Sequence, residues 1–242
     1  MHWTTDDLTH NVQRVTATTR SPIRSTIGKK ALMAVTGLVL VLFLVAHMLG
    51  NLKIFAGAAS FDEYARWLRE LGSPLLPPAG FLWLQRGLLT FAVVGHIWAA
   101  TALALRARAA RPVRYVHRKP VRGSYTARTM RWGGVIIVLF VIYHLLDLTT
   151  GHLNPVGDPQ SPYANVVAGF APDRWYVTLC YTVALVTLGF HLRHGLHSAL
   201  RSLGQQSERG ERIARRAALA FAVVLCAGYL TVPFAVLTGL VK

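Results

Sequence analysis

Residues 31–52 read ALMAVTGLVLVLFLVAHMLGNL, a run without a single acid or base and with one histidine, His47, toward its far end. A helix needs about 20 mainly apolar residues to cross a ~30 Å hydrocarbon core. Lipid offers no partner to backbone N–H and C=O groups, so a run of this kind must be helical unless it belongs to a closed barrel. The alternation of apolar and polar residues that marks a barrel strand is missing. Four more segments follow the same rule: Ala79–Leu105, Trp132–Thr150, Trp175–Leu200 and Ala217–Val241. The expected fold is an all-α, five-helix transmembrane bundle.

Composition agrees. The 242 residues are 53% hydrophobic and only 15% charged, unlike a soluble domain. A formal net charge of +16 invites a nucleic-acid reading, but the bases lie between apolar runs and not on the face of a soluble fold, so nucleic acid is excluded. Cys180 and Cys226 both sit inside apolar stretches, leaving no disulfide framework and no cysteine-rich iron–sulfur or zinc signature. Residues 1–30 hold no short apolar core followed by a small-residue cleavage site, so the first span reads as a retained helix. With no repeat or linker in the chain, residues 25–242 read as one transmembrane domain and residues 1–24 as a polar tail.

Direction follows from the loops, because Lys and Arg accumulate on the cytoplasmic side. Residues 1–30 carry five bases, residues 106–131 nine with no acid, and residues 193–216 six. Residues 51–78 and 151–174 are nearly neutral. The amino terminus is therefore expected in the cytoplasm and the carboxyl terminus outside, in a multi-pass protein of the cell inner (cytoplasmic) membrane. Apolar residues at helical spacing in Phe61–Leu71 fit a short helix that either lies in the outer interface or covers the bundle.

Ionisable groups inside a membrane are costly and point to function. Here they are histidines. His47, His96, His144 and His191 fall once in each of the first four spans, and the fifth has none. Successive helices run in opposite directions at ~1.5 Å per residue. On that count His47 and His144 share a depth near the outer surface, while His96 and His191 share one nearer the cytoplasm. Two imidazoles facing one another across a bundle are what a six-coordinate haem iron needs. A bare metal site would want carboxylates or closer histidine spacing, and the spans offer only Asp147. With no C-x-x-C-H in the chain, the haem would be b-type. Gly50, Gly95, Gly189 and Gly195 flank the histidines and would leave room for a flat macrocycle. His194 and His197 continue a stripe from His191 at helical spacing. Any of the three could face the core; depth favours His191 as the ligand, which leaves His194 as a candidate contact for a haem propionate, a quinone oxygen or a partner subunit, and His197 as a solvated residue at the helix end.

The motifs Ser25-Thr-Ile-Gly-Lys-Lys30, His47-Met-Leu-Gly-Asn-Leu52, Phe61-Asp-Glu-Tyr-Ala65, Ala110-Arg-Pro112 and His191-Leu-Arg-His-Gly-Leu-His-Ser198 together resemble the di-haem cytochrome b membrane subunit of the succinate dehydrogenase and fumarate reductase (complex II) family. The resemblance runs from about Arg24 to Lys242. It implies two haems b stacked across the membrane, with His47 and His144 on the outer iron and His96 and His191 on the inner one. It implies a flavoprotein and an iron–sulfur protein as partners, with room for a small additional anchor subunit. It also implies a quinone, read as menaquinone, as electron acceptor. The dicarboxylate chemistry belongs to the partners: this chain has no nucleotide-binding glycine motif after a strand and no nucleophile triad.

Propionates need cations. Lys29, Lys30, Arg128, Arg131 and Arg193 are placed for the inner haem and Arg86 for the outer, although each could equally snorkel to headgroups. A Trp usual in the family is His197 here. Some fumarate reductases carry an acid two residues before the last ligand; here that position is Gly189, which favours succinate oxidation and no proton path. The rival readings are the haem b anchor of a fumarate reductase, hydrogenase or formate dehydrogenase, and a histidine-containing proton transporter. Nearly acid-free spans speak against the transporter.

Overall fold

The computed structural model describes residues 25–110, 123–202 and 207–242, and within them the side chains of residues 123–129 and 202 are left aside. The expected tail, residues 1–24, lies outside the described residues. Seven α-helices are present among the described residues: α1 Thr26–Leu52, α2 Ala58–Glu70, α3 Gly80–Ala109, α4 Gly123–His144, α5 Pro162–Gly169, α6 Trp175–Ser202 and α7 Glu208–Leu237. Five stretches are long and apolar enough to cross a membrane: Thr26–Ala56, Gly80–Ala109, Met130–Thr149, Pro172–Arg201 and Glu208–Leu237. The chain is an all-α bundle, and no strand occurs among the described residues.

The long helices outrun the apolar segments that mark them. α7 has 30 residues and begins at Glu208, ahead of the first strongly apolar residues, and by its rise is about 45 Å long. That exceeds the hydrocarbon core, so hydropathy reports the lipid-covered part while capping reports the true start. Ser207 accepts a hydrogen bond from the Gly210 N–H at 3.1 Å, with Glu208 and Glu211 in the first turn complementing the helix dipole. Ser25 does the same for α1, accepting from the Gly28 N–H at 2.9 Å.

In space the spans form a row, α3 beside α1, α1 beside α7, α7 beside α6 and α6 beside α4. The broadest contact is α6 on α7. Small residues make it close, with Ala214, Ala218 and Ala222 of α7 buried, and a side chain at Gly189 would meet Cys226 Sγ at 3.3 Å. Large side chains such as Leu38, Leu42, Trp83, Phe91 and Leu139 stay exposed, as a lipid-facing surface requires.

The end of the bundle that holds α2 and α5 is capped. Phe61 of α2 is buried in a cluster with Ile54, Phe170, Val177, Tyr181 and Val232. The Tyr64 ring lies against Gly50, where an added Cβ would stand 3.0 Å away. So α2 covers the bundle through Phe61 and Tyr64 while Trp67 remains exposed. The helix α5 is not evident from hydropathy. Ser161 caps it and Pro162 occupies its first turn, a start that needs no apolar run. Asp62 ties the two short helices together, accepting from the Tyr163 N–H at 2.9 Å and the Ser161 hydroxyl at 3.2 Å. Replacing Asp62 with Ala should lower stability by about 2 kcal/mol, read as an earlier thermal transition in detergent without loss of helical signal.

Candidate functional site

Histidines occur at two levels of the bundle. At the capped end the His47 ring of α1 and the His144 ring at the end of α4 have centroids 5.9 Å apart, edge to face. At the other end the His96 ring of α3 and the His191 ring of α6 are 6.3 Å apart. The vertical separation can be read along α1. A side chain at Gly37 would touch the His96 ring at 3.3 Å, and His47 lies ten residues further on, roughly 15 Å of rise.

The helices that carry each pair do not pack closely on one another. Neither α1 with α4 nor α3 with α6 is among the tightly packed pairs. Each pair of rings therefore faces across a separation that the backbones leave open.

Local contacts orient the rings. His96 Nδ1 is 3.1 Å from the Met33 carbonyl and 3.3 Å from the Thr36 hydroxyl. The hydroxyl is already committed to the Leu32 carbonyl at 2.7 Å, so the imidazole N–H belongs on Nδ1 and points at Met33. Nε2 is then left with its lone pair. His144 Nδ1 lies 3.2 Å from the Tyr181 hydroxyl. His47 stacks on Phe43 at 5.2 Å and meets the Tyr229 ring at 6.0 Å, and the Tyr229 hydroxyl donates to the Leu44 carbonyl at 2.7 Å. His191 Nδ1 is buried without a hydrogen-bond partner.

The donor set limits what could bind. No group of three or more His, Cys, Asp or Glu side chains is gathered for a metal ion among the described residues. Each level offers two imidazoles, so a metal held there must bring its other ligands with it, as a porphyrin-bound iron does. Metal–imidazole bonds of about 2 Å on opposite sides of one ion set the ring centroids roughly 6 Å apart. The observed spacings match, and the residues present fit the group.

The other expected contacts are dispersed. Lys29 is buried with Nζ 5.4 Å over the Trp98 ring. Lys30 joins His194, His197, Ser198 and Arg201 around a cavity of about 340 Å3. Arg131 and Arg193 are exposed. Arg86 is exposed as well, its guanidinium 4.9 Å over the Trp83 ring. Arg128 lies in α4, but its side chain is outside the described residues. His197 is not the solvated residue expected: Nε2 is buried and stands 3.8 Å from Glu211 Oε1 of α7. Three of the four flanking glycines serve helix packing, and Gly195 faces open space. Gly50 meets Tyr64, Gly95 meets Thr36 and Gly189 meets Cys226, while Gly37, which carries no signal of its own, is the one against a histidine ring.

Sequence reasoning counted Asp147 as the acid of the spans without finding its partners. Asp147 is fully buried in a π-helical turn, Leu145–Thr149, and pairs with Arg174 at 3.5 Å. An acid at the end of a span and a lone base in a neutral loop were the available signal.

No curated protein and no solved structure matches the chain. The family model of the succinate dehydrogenase/fumarate reductase transmembrane subunit matches residues 104–230. That region holds His144 and His191, and the fold brings His47 and His96 to them from outside it. With more than half of its length matched and five membrane-length helices around two facing histidine pairs, this chain belongs to the succinate dehydrogenase/fumarate reductase transmembrane subunit family.

Proposed function

We propose that the chain is the di-haem cytochrome b anchor of a succinate dehydrogenase, with His47 and His144 holding the outer haem and His96 and His191 the inner. The observation that carries this reading is the pair of imidazole gaps between helices whose backbones stand apart. When bound, the two haems supply one-electron carriers between an iron–sulfur partner on the cytoplasmic face and a quinone, menaquinone in this reading.

The protein's own part is to fix the rings and to keep water out. Met33 holds the His96 N–H and leaves Nε2 for iron. Phe43 and Tyr229 bracket His47. Lys30 and His194, which share a cavity one turn from His191, are the contacts we assign to an inner propionate or a quinone oxygen. Arg86, Arg131 and Arg193, exposed on the bundle surface, are assigned to headgroups.

Succinate oxidation is favoured over fumarate reduction by Gly189. An acid there would need space that Cys226 Sγ fills, so the path for protons that such an acid would provide is not part of this bundle. The basic ends of α3 and α7, with Arg106, Arg108, Arg209 and Arg212, form the cytoplasmic face on which the iron–sulfur and flavoprotein subunits dock. Residues 25–242 are a single domain in the cell inner membrane, with the Ser25 end of the first span on the same side as these partners.

Purified in its complex, the chain should show two haems b per polypeptide in a reduced-minus-oxidised spectrum. A colourless preparation sinks the reading. His47→Ala should remove one component and His96→Ala the other, each leaving its counterpart; loss of the same component in both variants would break the pairing. A single cysteine in place of the exposed Leu75 should react with an impermeant thiol reagent from outside intact cells, and one in place of the exposed Glu208 only after the membrane is opened.

A further inference from the structure

The histidine at the end of α4 is tied to a buried charge. Tyr181 is 6% exposed, and its ring is clamped edge-on between Phe140 at 4.8 Å and Phe170 at 4.7 Å, so its hydroxyl has one place to be. From there it is 3.2 Å from His144 Nδ1 and 3.5 Å from Asp147 Oδ2. Asp147 lies fully buried, with Arg174 Nη2 3.5 Å from its other oxygen. Arg174 is itself anchored on the Leu153 carbonyl at 3.3 Å.

One proton decides the direction of this chain. A phenol has a single O–H, and a carboxylate paired with a guanidinium can only accept. The Tyr181 proton therefore goes to Asp147, and the phenolic oxygen is left to accept from His144. That puts the imidazole proton on Nδ1 and the lone pair on Nε2, the nitrogen that must bind iron. The reverse arrangement would strand Asp147 Oδ2 with no donor from Tyr181 inside a low-dielectric bundle.

We propose that Tyr181, aimed by the buried Asp147–Arg174 pair, is a positioning residue that fixes the His144 tautomer and makes this imidazole a stronger electron donor than its counterparts. The proposal rests on the haem reading given above. His96 meets a neutral carbonyl at the equivalent nitrogen, whereas the chain from His144 ends in a carboxylate. An acceptor on the far nitrogen raises ligand basicity, which favours the oxidised iron. The outer haem should accordingly have its potential held down by this chain.

The test is a reductive titration of the haem absorbance in membranes that contain the assembled complex, with the outer component identified by its loss in His47→Ala. Tyr181→Phe keeps the ring and deletes the hydroxyl; Asp147→Asn keeps the shape and deletes the charge. The expected result is an upward shift of the outer midpoint in both variants, with the inner midpoint unmoved. Haem retention at the outer site should fall by about 10- to 100-fold in Tyr181→Phe. If that variant holds no outer haem at all, Asp147→Asn supplies the midpoint. An unmoved outer midpoint overturns the proposal, as does an equal shift of both components, which is what looser packing would give. Absence of haem from the wild-type complex would instead overturn the underlying reading.

Discussion

A polar group that enters a bilayer must bring its own partner, because the solvent there supplies none. Much of this bundle can be derived from that constraint. Thr36, Thr90, Thr182 and Thr187 bond back to carbonyls four residues earlier. His96 leans on Met33, Tyr229 on Leu44, and Asp147 on Arg174 and Tyr181. Against this background two facing imidazole pairs stand out, their ring centroids 5.9 and 6.3 Å apart, with His191 Nδ1 buried and without a hydrogen-bond partner.

The helix without a histidine makes the gaps possible. α7 packs broadly on α6 and also on α1. Its small residues Ala218 and Ala222, with Gly228 lying directly under Met48 of α1, let both neighbours come close. Leu192, Ala222 and Leu225 form the buried centre there, with Val41, Leu44 and Met48 around them. Having drawn α1 and α6 to itself, α7 leaves α4 and α3 to attach from the far sides, each leaning on one neighbour. The histidine-bearing partners thereby end up opposite one another without close packing between them. A bundle in which α1 met α4 directly would close the space that the rings now span.

The spans and the pairing of histidines were legible in the sequence because both are one-dimensional quantities. Hydropathy measures lipid thickness, and residue count times rise measures depth. His191 could be told from His194 on that basis, and it is the ring that faces His96. What depends on the chain folding back was hidden. Arg174 follows Asp147 by a loop containing α5, and nothing in the spacing says that this base turns inward to meet the acid. His197 was misread because α6 runs on to Ser202 and α7 starts at Glu208, so a residue that hydropathy places at a helix end is enclosed by two helices. The glycines were assigned to a macrocycle by adjacency in sequence, whereas Gly95 and Gly189, one and two residues before their histidines, lie on other faces of the helix, and three of the four meet protein.

The two levels are chemically alike in their ligands and unlike in everything around them. The pair at His47 and His144 sits beneath a cap, where α2 and α5 are pinned by Asp62 and the loop between α4 and α5 is closed on itself through Asn154 and Asn165. The pair at His96 and His191 lies beside a cavity lined by Lys30, His194, His197, Ser198 and Arg201. Under the haem reading proposed above, burial, nearby charge and hydrogen bonding to the ligand would separate the potentials of two irons held by the same imidazoles. Cationic side chains stabilise the reduced form through their charge, and an acceptor on the ligand stabilises the oxidised form. In that reading both differences would act in the same sense, toward a higher potential on the cavity side and a lower one on the capped side. The asymmetry follows from where the polar groups are allowed to be, with Lys30 and Arg201 at one end of the bundle and the buried Asp147 at the other.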